Sequence, residues 1–116
     1  MRLTSDFFVS ALIRHVFKAG GYAVVEKKGA SEAGAIFLRL RARDGLETLY
    51  APAPQSFFDE DTSGDRRFEI RSVKVESEEV EEILAREKKF DQDLWVIEIE
   101  IDDISNLNSI IGPGST

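Results

Sequence analysis

The chain contains no cysteine, which excludes disulfides, thiolate metal sites and a cysteine nucleophile. That lack fits a reducing compartment. Histidine is almost as scarce, with His15 the only one. A zinc site would need mostly carboxylates, which is uncommon, and a serine triad would have to rest on His15. No Gly-x-Ser-x-Gly elbow accompanies it. Long apolar runs are missing too. The longest near the N-terminus, Phe7–Val9, gives way to Ser10 and then Arg14-His15, and Asp6 precedes it where a secretion signal carries positive charge. Nothing approaches the roughly 18 apolar residues of a membrane span. A cytoplasmic protein without membrane contact is expected.

What is present suits one soluble domain: 116 residues, 42% hydrophobic and 32% charged. The net charge of −7 is unevenly placed. Residues 1–43 hold eight Lys/Arg against three Asp/Glu, a net of +5, so the remainder carries −12. Overall acidity argues against nucleic acid as a partner. The two halves are expected to neutralise each other on folding.

Thr4-Ser5-Asp6 offers helix-capping side chains, and Phe8, Leu12, Val16 and Ala19 follow at helical spacing. Gly20-Gly21 ends that helix. Tyr22–Lys28 reads as a strand, and Gly29-Ala30-Ser31-Glu32 as a turn. Over Ala35–Ala51 a hairpin is expected, with Asp44-Gly45 as a two-residue turn. That turn sets Arg41 opposite Thr48, Arg39 opposite Tyr50 and Leu40 opposite Leu49. Ile36, Leu38, Leu40 and Leu49 then share the apolar face, and Arg39, Arg41, Thr48 and Tyr50 the other. Arg67–Val75 reads as a strand with a bulge near Ser72, where the apolar parity changes. Ser77 is expected to cap a second helix whose buried stripe is Val80, Ile83 and Leu84. In the last strand, Leu94–Ile101, Trp95, Ile97 and Ile99 alternate with Glu98 and Glu100.

This order predicts an α+β fold: two layers, a mostly antiparallel sheet of about five strands, and two helices packed on one face. Residues 1–103 form the single domain, followed by a flexible C-terminal tail over 104–116. If the hairpin and the last strand are neighbours, Arg39 and Arg41 can pair with Glu98 and Glu100.

Three segments resemble chemical motifs. In Asp59–Asp65, oxygen side chains recur around Gly64 as in the first half of a calcium loop. Counting from Asp59, however, puts Arg67 at position nine and Ile70 at twelve, where the bidentate glutamate belongs. An acidic turn is the better reading, and no metal site is expected. Gly29 and Gly34 are spaced as in a phosphate loop, but Ala35-Ile36 follows where Lys-Ser/Thr is required, and a strand comes next rather than a helix. Glu26-Lys27-Lys28 supplies a Glu-x-Lys at a strand end, where a carboxylate could hold Mg²⁺ and a lysine activate water. No aspartate lies on a preceding strand to complete that set. Phe57-Phe58 is costly to leave in water, and the pair either pins its loop to the body or meets a partner.

Taken together, "FVSALIRHVFKAGGYAVV", "GASEAGAIFLRLRARDG", "ETLYAPAPQSFFDED", "DRRFE" and "FDQDLWVIEIE" resemble a small bacterial family called domain of unknown function 1491, over roughly residues 1–103. The resemblance implies a stand-alone cytoplasmic bacterial protein and brings no catalytic residues with it. The expected function is a non-enzymatic binding or assembly module, without cofactor. Its partner would be an unidentified protein or a second copy of the chain, met through a sheet edge or face. The candidate surface is Arg39, Arg41, Tyr50, Phe57 and Phe58. The alternative is a metal-dependent hydrolase or nuclease using Glu26 and Lys28.

Overall fold

Thr4 starts the first helix by accepting a hydrogen bond from Phe7 N on its hydroxyl (3.2 Å), which satisfies one of the free N–H groups at a helix start. The structure, a computed structural model, describes residues 4–53, 68–107 and 111. Helix α1 (Ser5–Lys18) ends at Gly20, whose φ of +88° closes the last turn. Strands β1 (Tyr22–Lys27), β2 (Ile36–Arg41), β3 (Glu47–Pro52) and β4 (Phe68–Val75) follow. Helix α2 (Ser77–Phe90) and strand β5 (Trp95–Glu100) complete the sheet. Glu76, rather than Ser77, stands at the N-cap of α2: it is extended and its carbonyl accepts from Glu79 N (3.0 Å).

The sheet order is β1-β5-β2-β3-β4, antiparallel except where β5 lies parallel to β2. The α+β class and the mostly antiparallel five-stranded sheet are as the sequence predicts. The helices, however, do not share a face. Along β2, Ile36 and Leu38 pack with Phe8, Leu12 and Val16 of α1, while Phe37 packs with Val80 and Leu84 of α2. Along β5, Trp95, Ile97 and Ile99 join the first group and Val96 the second. Alternate strand residues point to opposite sides, so the sheet lies between the two helices. The continuous apolar stretches Ile36-Phe37-Leu38 and Trp95-Val96-Ile97 follow from that, because a strand covered on both sides has no need to alternate.

The hairpin turn also differs from expectation. Gly45 N donates to Ala42 O (3.0 Å) and Ala42 N to Leu46 O (2.9 Å), leaving a three-residue loop, Arg43–Gly45. Gly45 takes φ +88°, and Asp44 Oδ1 accepts from Leu46 N (3.0 Å). This is the loop in which glycine supplies the left-handed position after a tight turn. It moves the register by one: Arg41 faces Glu47, Arg39 faces Leu49 and Leu38 faces Tyr50. Leu49 therefore joins the arginines on the α2 side, and Tyr50 sits in the α1-side core. The bulge near Ser72 is present: β3–β4 pairing shifts on both sides of the Leu49–Ser72 pair.

Of the C-terminal segment, Ile104–Leu107 form a 3₁₀ turn, and Leu107 and Ile111 are buried in the α1-side core. His15 is half-buried with Nε2 2.7 Å from Asn106 O, which ties α1 to that turn. No helix among the described residues is long and apolar enough to cross a membrane. Phe57, Phe58 and the acidic turn Asp59–Asp65 lie outside the described residues.

Candidate functional site

On the α2 side the sheet is apolar at one end and ionic at the other, and the boundary follows from the strand sequences. After Phe37, β2 places Arg39 and Arg41 on this side; after Val96, β5 places Glu98 and Glu100 there. In β3, Glu47 precedes Leu49 and Ala51 on the same side. The parallel register then sets Arg39 beside Glu98 and Arg41 beside Glu100.

Arg39 and Glu47 form the centre. They are 3% and 0% exposed, and Arg39 Nε donates to Glu47 Oε1 at 2.6 Å. Arg39 Nη1 also reaches Glu26 of β1 (3.1 and 3.2 Å) and Glu81 of α2 (3.0 Å). Glu47 Oε2 accepts from Arg41 Nε and Nη2 (3.2 and 3.1 Å). Arg41 stands 3.5 Å from both Glu98 and Glu100. A buried pair of this kind persists only when its remaining donors and acceptors are satisfied, and here the two outer carboxylates and the second arginine do so.

Burial works against the charge on Arg39, but the hydrogen bond to Glu47, the charge of Glu26 and the hydrogen bond to Glu81 outweigh it and raise its pKa above the ordinary arginine value. Arg41 shifts the same way, chiefly through its hydrogen bond to Glu47. Both guanidiniums are therefore permanent cations: Arg39 joins β2 to β1, β3 and α2, and Arg41 extends the cluster to β5.

Of the residues proposed from sequence as a contact surface, Arg39 and Arg41 are neighbours in this network, and Arg39 is buried beneath α2. Tyr50 lies across the sheet from them, 4% exposed. Sequence reasoning expected Arg39 and Arg41 to meet Glu98 and Glu100; Arg41 does, whereas Arg39 takes Glu47, Glu26 and Glu81 instead. Glu47 and Glu81 escaped notice. The signal for Glu47 was available in the alternation Glu47-Thr48-Leu49-Tyr50-Ala51, which puts it on whichever side holds Leu49 and Ala51.

Glu26, the carboxylate of the hydrolase alternative, is held by Arg39. Lys27 turns its ammonium onto the Gln92 and Leu94 carbonyls (2.7 and 3.0 Å), and Lys28 is exposed. Among the described residues no group of three or more His, Asp or Glu is placed to hold a metal ion. Beyond the network a shallow cleft of about 300 Å³ opens between Tyr22, Arg41, Arg43, Glu100 and Asp102. Both of its arginines are engaged: Arg43 pairs with Asp102 at 2.9 Å and Arg41 with Glu47 at 3.1 Å.

Burial pushes the Tyr50 phenol above its ordinary value of 10. The folded state then favours the neutral ring, so this contribution to stability is full below pH 10 and is lost as pH rises through the native value. Urea unfolding on either side of pH 10 is expected to show that loss in the wild type, and a smaller one in Tyr50→Phe. Equal slopes would mean that Tyr50 plays no part.

A family model matches residues 3–108, and the family is described as "Protein of unknown function (DUF1491)". Among solved structures the chain is similar to protein Atu0922 from A. tumefaciens, solved in solution. The two are 58% identical over 97% of this chain and 94% of that one, with a TM-score of 0.83. A crystal structure of a DUF1491 family protein from Caulobacter crescentus CB15 is 29% identical over 89% of this chain and 90% of that one, with a TM-score of 0.72. An NMR structure of a DUF1491 family protein from the same organism is 30% identical over 89% of each chain, also with a TM-score of 0.72. No curated protein matches the chain.

Proposed function

The chain belongs to the DUF1491 family, and from that premise we propose that it is a non-enzymatic binding or assembly module of the bacterial cytoplasm. One observation supports the reading most: Glu26, the carboxylate that the hydrolase alternative needs, is engaged by Arg39 within an ionic network. Arg39 holds Glu47, Glu26 and Glu81, and Arg41 holds Glu47, Glu98 and Glu100. A catalytic acid, base or metal ligand must be free to meet substrate, and these groups instead join helix to sheet. Absence of cysteine fits the compartment.

The alternative, a metal-dependent hydrolase built on Glu26 and Lys28, requires Glu26 to leave Arg39 for a cation. It makes a different prediction. If the binding reading holds, Mg²⁺ and Mn²⁺ leave the thermal midpoint unchanged, and nuclease and phosphodiesterase assays give no turnover. Metal-dependent hydrolysis that disappears in Glu26→Gln would replace the binding reading with the enzymatic one.

A further inference from the structure

We propose that two copies of this chain pair along the free edge of β1, forming a continuous sheet across a two-fold axis. The proposal rests on the binding-or-assembly reading and names its partner. The sheet has two edge strands, β1 and β4. An edge strand exposes a row of backbone donors and acceptors to any extended chain, and proteins commonly blunt it with bulges or charged side chains. Strand β4 is blunted: its pairing with β3 shifts register twice, and Lys74 within it takes φ +50°. Strand β1 has one shift, between Val25 and Lys27 at its far end, and keeps unbroken register with β5 from Tyr22 to Val25. The lysine best placed to guard it, Lys27, folds its ammonium back onto the Gln92 and Leu94 carbonyls.

The side chains at this edge are apolar. Tyr22 is 49% exposed and Val24 38%, on the same side of the strand by alternation. Phe17, at the end of α1, is 51% exposed and meets the Tyr22 ring edge-on at 5.9 Å. Three large apolar groups thus stand open to water within eight residues, beside a strand edge that no other strand among the described residues pairs with.

The edge also complements itself. In an antiparallel pair, residues directly opposite project on the same side. A two-fold axis through Ala23 sets Tyr22 opposite Val24 of the second copy and, by symmetry, Val24 opposite its Tyr22. Aromatic against β-branched is a favoured cross-strand pair. The small Ala23 lies at the axis, and the strand-to-strand pairs, Tyr22 to Val24, contain no charged residue. Moving the axis to Val24 would set Tyr22 against Glu26, and moving it to Val25 would set Tyr22 against Lys28 and Val24 against Glu26. The Ala23 axis is thus the one that pairs Tyr22 with Val24, and a second copy supplies both halves of each pair.

Sedimentation velocity on the full chain over a concentration series tests this. The wild type is expected to pass from monomer to dimer as concentration rises. Tyr22→Lys/Val24→Lys and Tyr22→Glu/Val24→Glu each set like charges opposite one another, and each is expected to weaken self-association roughly tenfold or more. An equimolar mixture of the two is expected to restore the dimer, because opposite charges then face in the same register. Circular dichroism checks that each variant is folded. Amide exchange on the unaltered chain reads the same contact, with protection at residues 22–25 rising with concentration. A monomer at every concentration, double variants that dimerise like the wild type, or concentration-independent protection would each overturn the proposal. A monomeric wild type defeats the dimer alone; the binding reading falls only to metal-dependent hydrolysis lost in Glu26→Gln.

Discussion

Arg39→Ala is expected to cost about 3–5 kcal/mol of folding stability, the range found when one partner of a buried ion pair is removed. Arg39 is 3% exposed, and it is the cation shared by Glu47, Glu26 and Glu81. Its loss leaves the fully buried Glu47 carboxylate with Arg41 as its remaining counter-charge, and leaves Glu26 and the largely exposed Glu81 without their arginine partner. A domain of this size has roughly 5–15 kcal/mol in total, so the variant sits near the limit of folding. Urea unfolding measures the loss. Because the pair is buried, the cost should change little between low and high salt, whereas an exposed pair would be screened. A loss of under about 1 kcal/mol, the scale of surface ion pairs, would show that the network contributes nothing beyond its exposed members.

The paired replacement Arg39→Met/Glu47→Leu separates stability from specificity. Well-packed apolar residues of similar volume often match or exceed a buried ion pair, because desolvation of both charges is avoided. The double variant should recover most of what Arg39→Ala loses. What it cannot recover is the link to Glu81, the α2 side chain that meets Arg39. An apolar floor would allow α2 to settle in more than one position, whereas the guanidinium accepts Glu81 in one. Line broadening in α2 resonances of a stable double variant would reveal that loss of definition.

Among the described residues, local sequence signals located both α-helices and all five strands, because each depends on spacing within a few residues. Phe8, Leu12 and Val16 mark α1, and Val80 and Leu84 mark α2. Two features escaped because they depend on distant partners. Asp44-Gly45 suits a two-residue or a three-residue loop equally, since either needs glycine at positive φ. What decides between them is whether Leu49 or Tyr50 lies beneath α2, a helix that begins nearly thirty residues later. The side on which α2 packs escaped for the same reason, although Ile36-Phe37-Leu38 and Trp95-Val96-Ile97 already carried the pattern of strands buried on both sides. The error in register had one consequence for function. It kept Glu47 off the Arg39 side, while the placement of both helices on one face left Arg39 exposed; α2 in fact covers it.

Gly29→Ala is expected to cost about 3 kcal/mol or more, at the upper end of overpacking, because the atoms it meets are backbone. A Cβ at Gly29 would collide with the carbonyl oxygens of Asp93 and Leu94. The collision would push away a turn that holds several parts together. Ala30 N donates to Asp93 O (2.9 Å), and Trp95 Nε1 donates to Ala30 O (2.8 Å). The same turn receives the first helix: Ser5 N and Asp6 N donate to Glu32 O and Ser31 O (3.0 and 2.9 Å), and Ser5 Oγ to Gly34 O (2.6 Å). Carbonyls pointing at a helix start also explain why this glycine pair is no phosphate cradle, which needs N–H groups there. Gly20→Ala provides the control. Gly20 has φ +88° and nothing within 4 Å of an added Cβ, so only conformational strain of about 1 kcal/mol opposes the change. Trp95 is the only tryptophan, and its fluorescence should shift in Gly29→Ala and not in Gly20→Ala. Equal costs for the two substitutions would mean that close packing of this turn on the Asp93 backbone is not what joins α1 to the sheet.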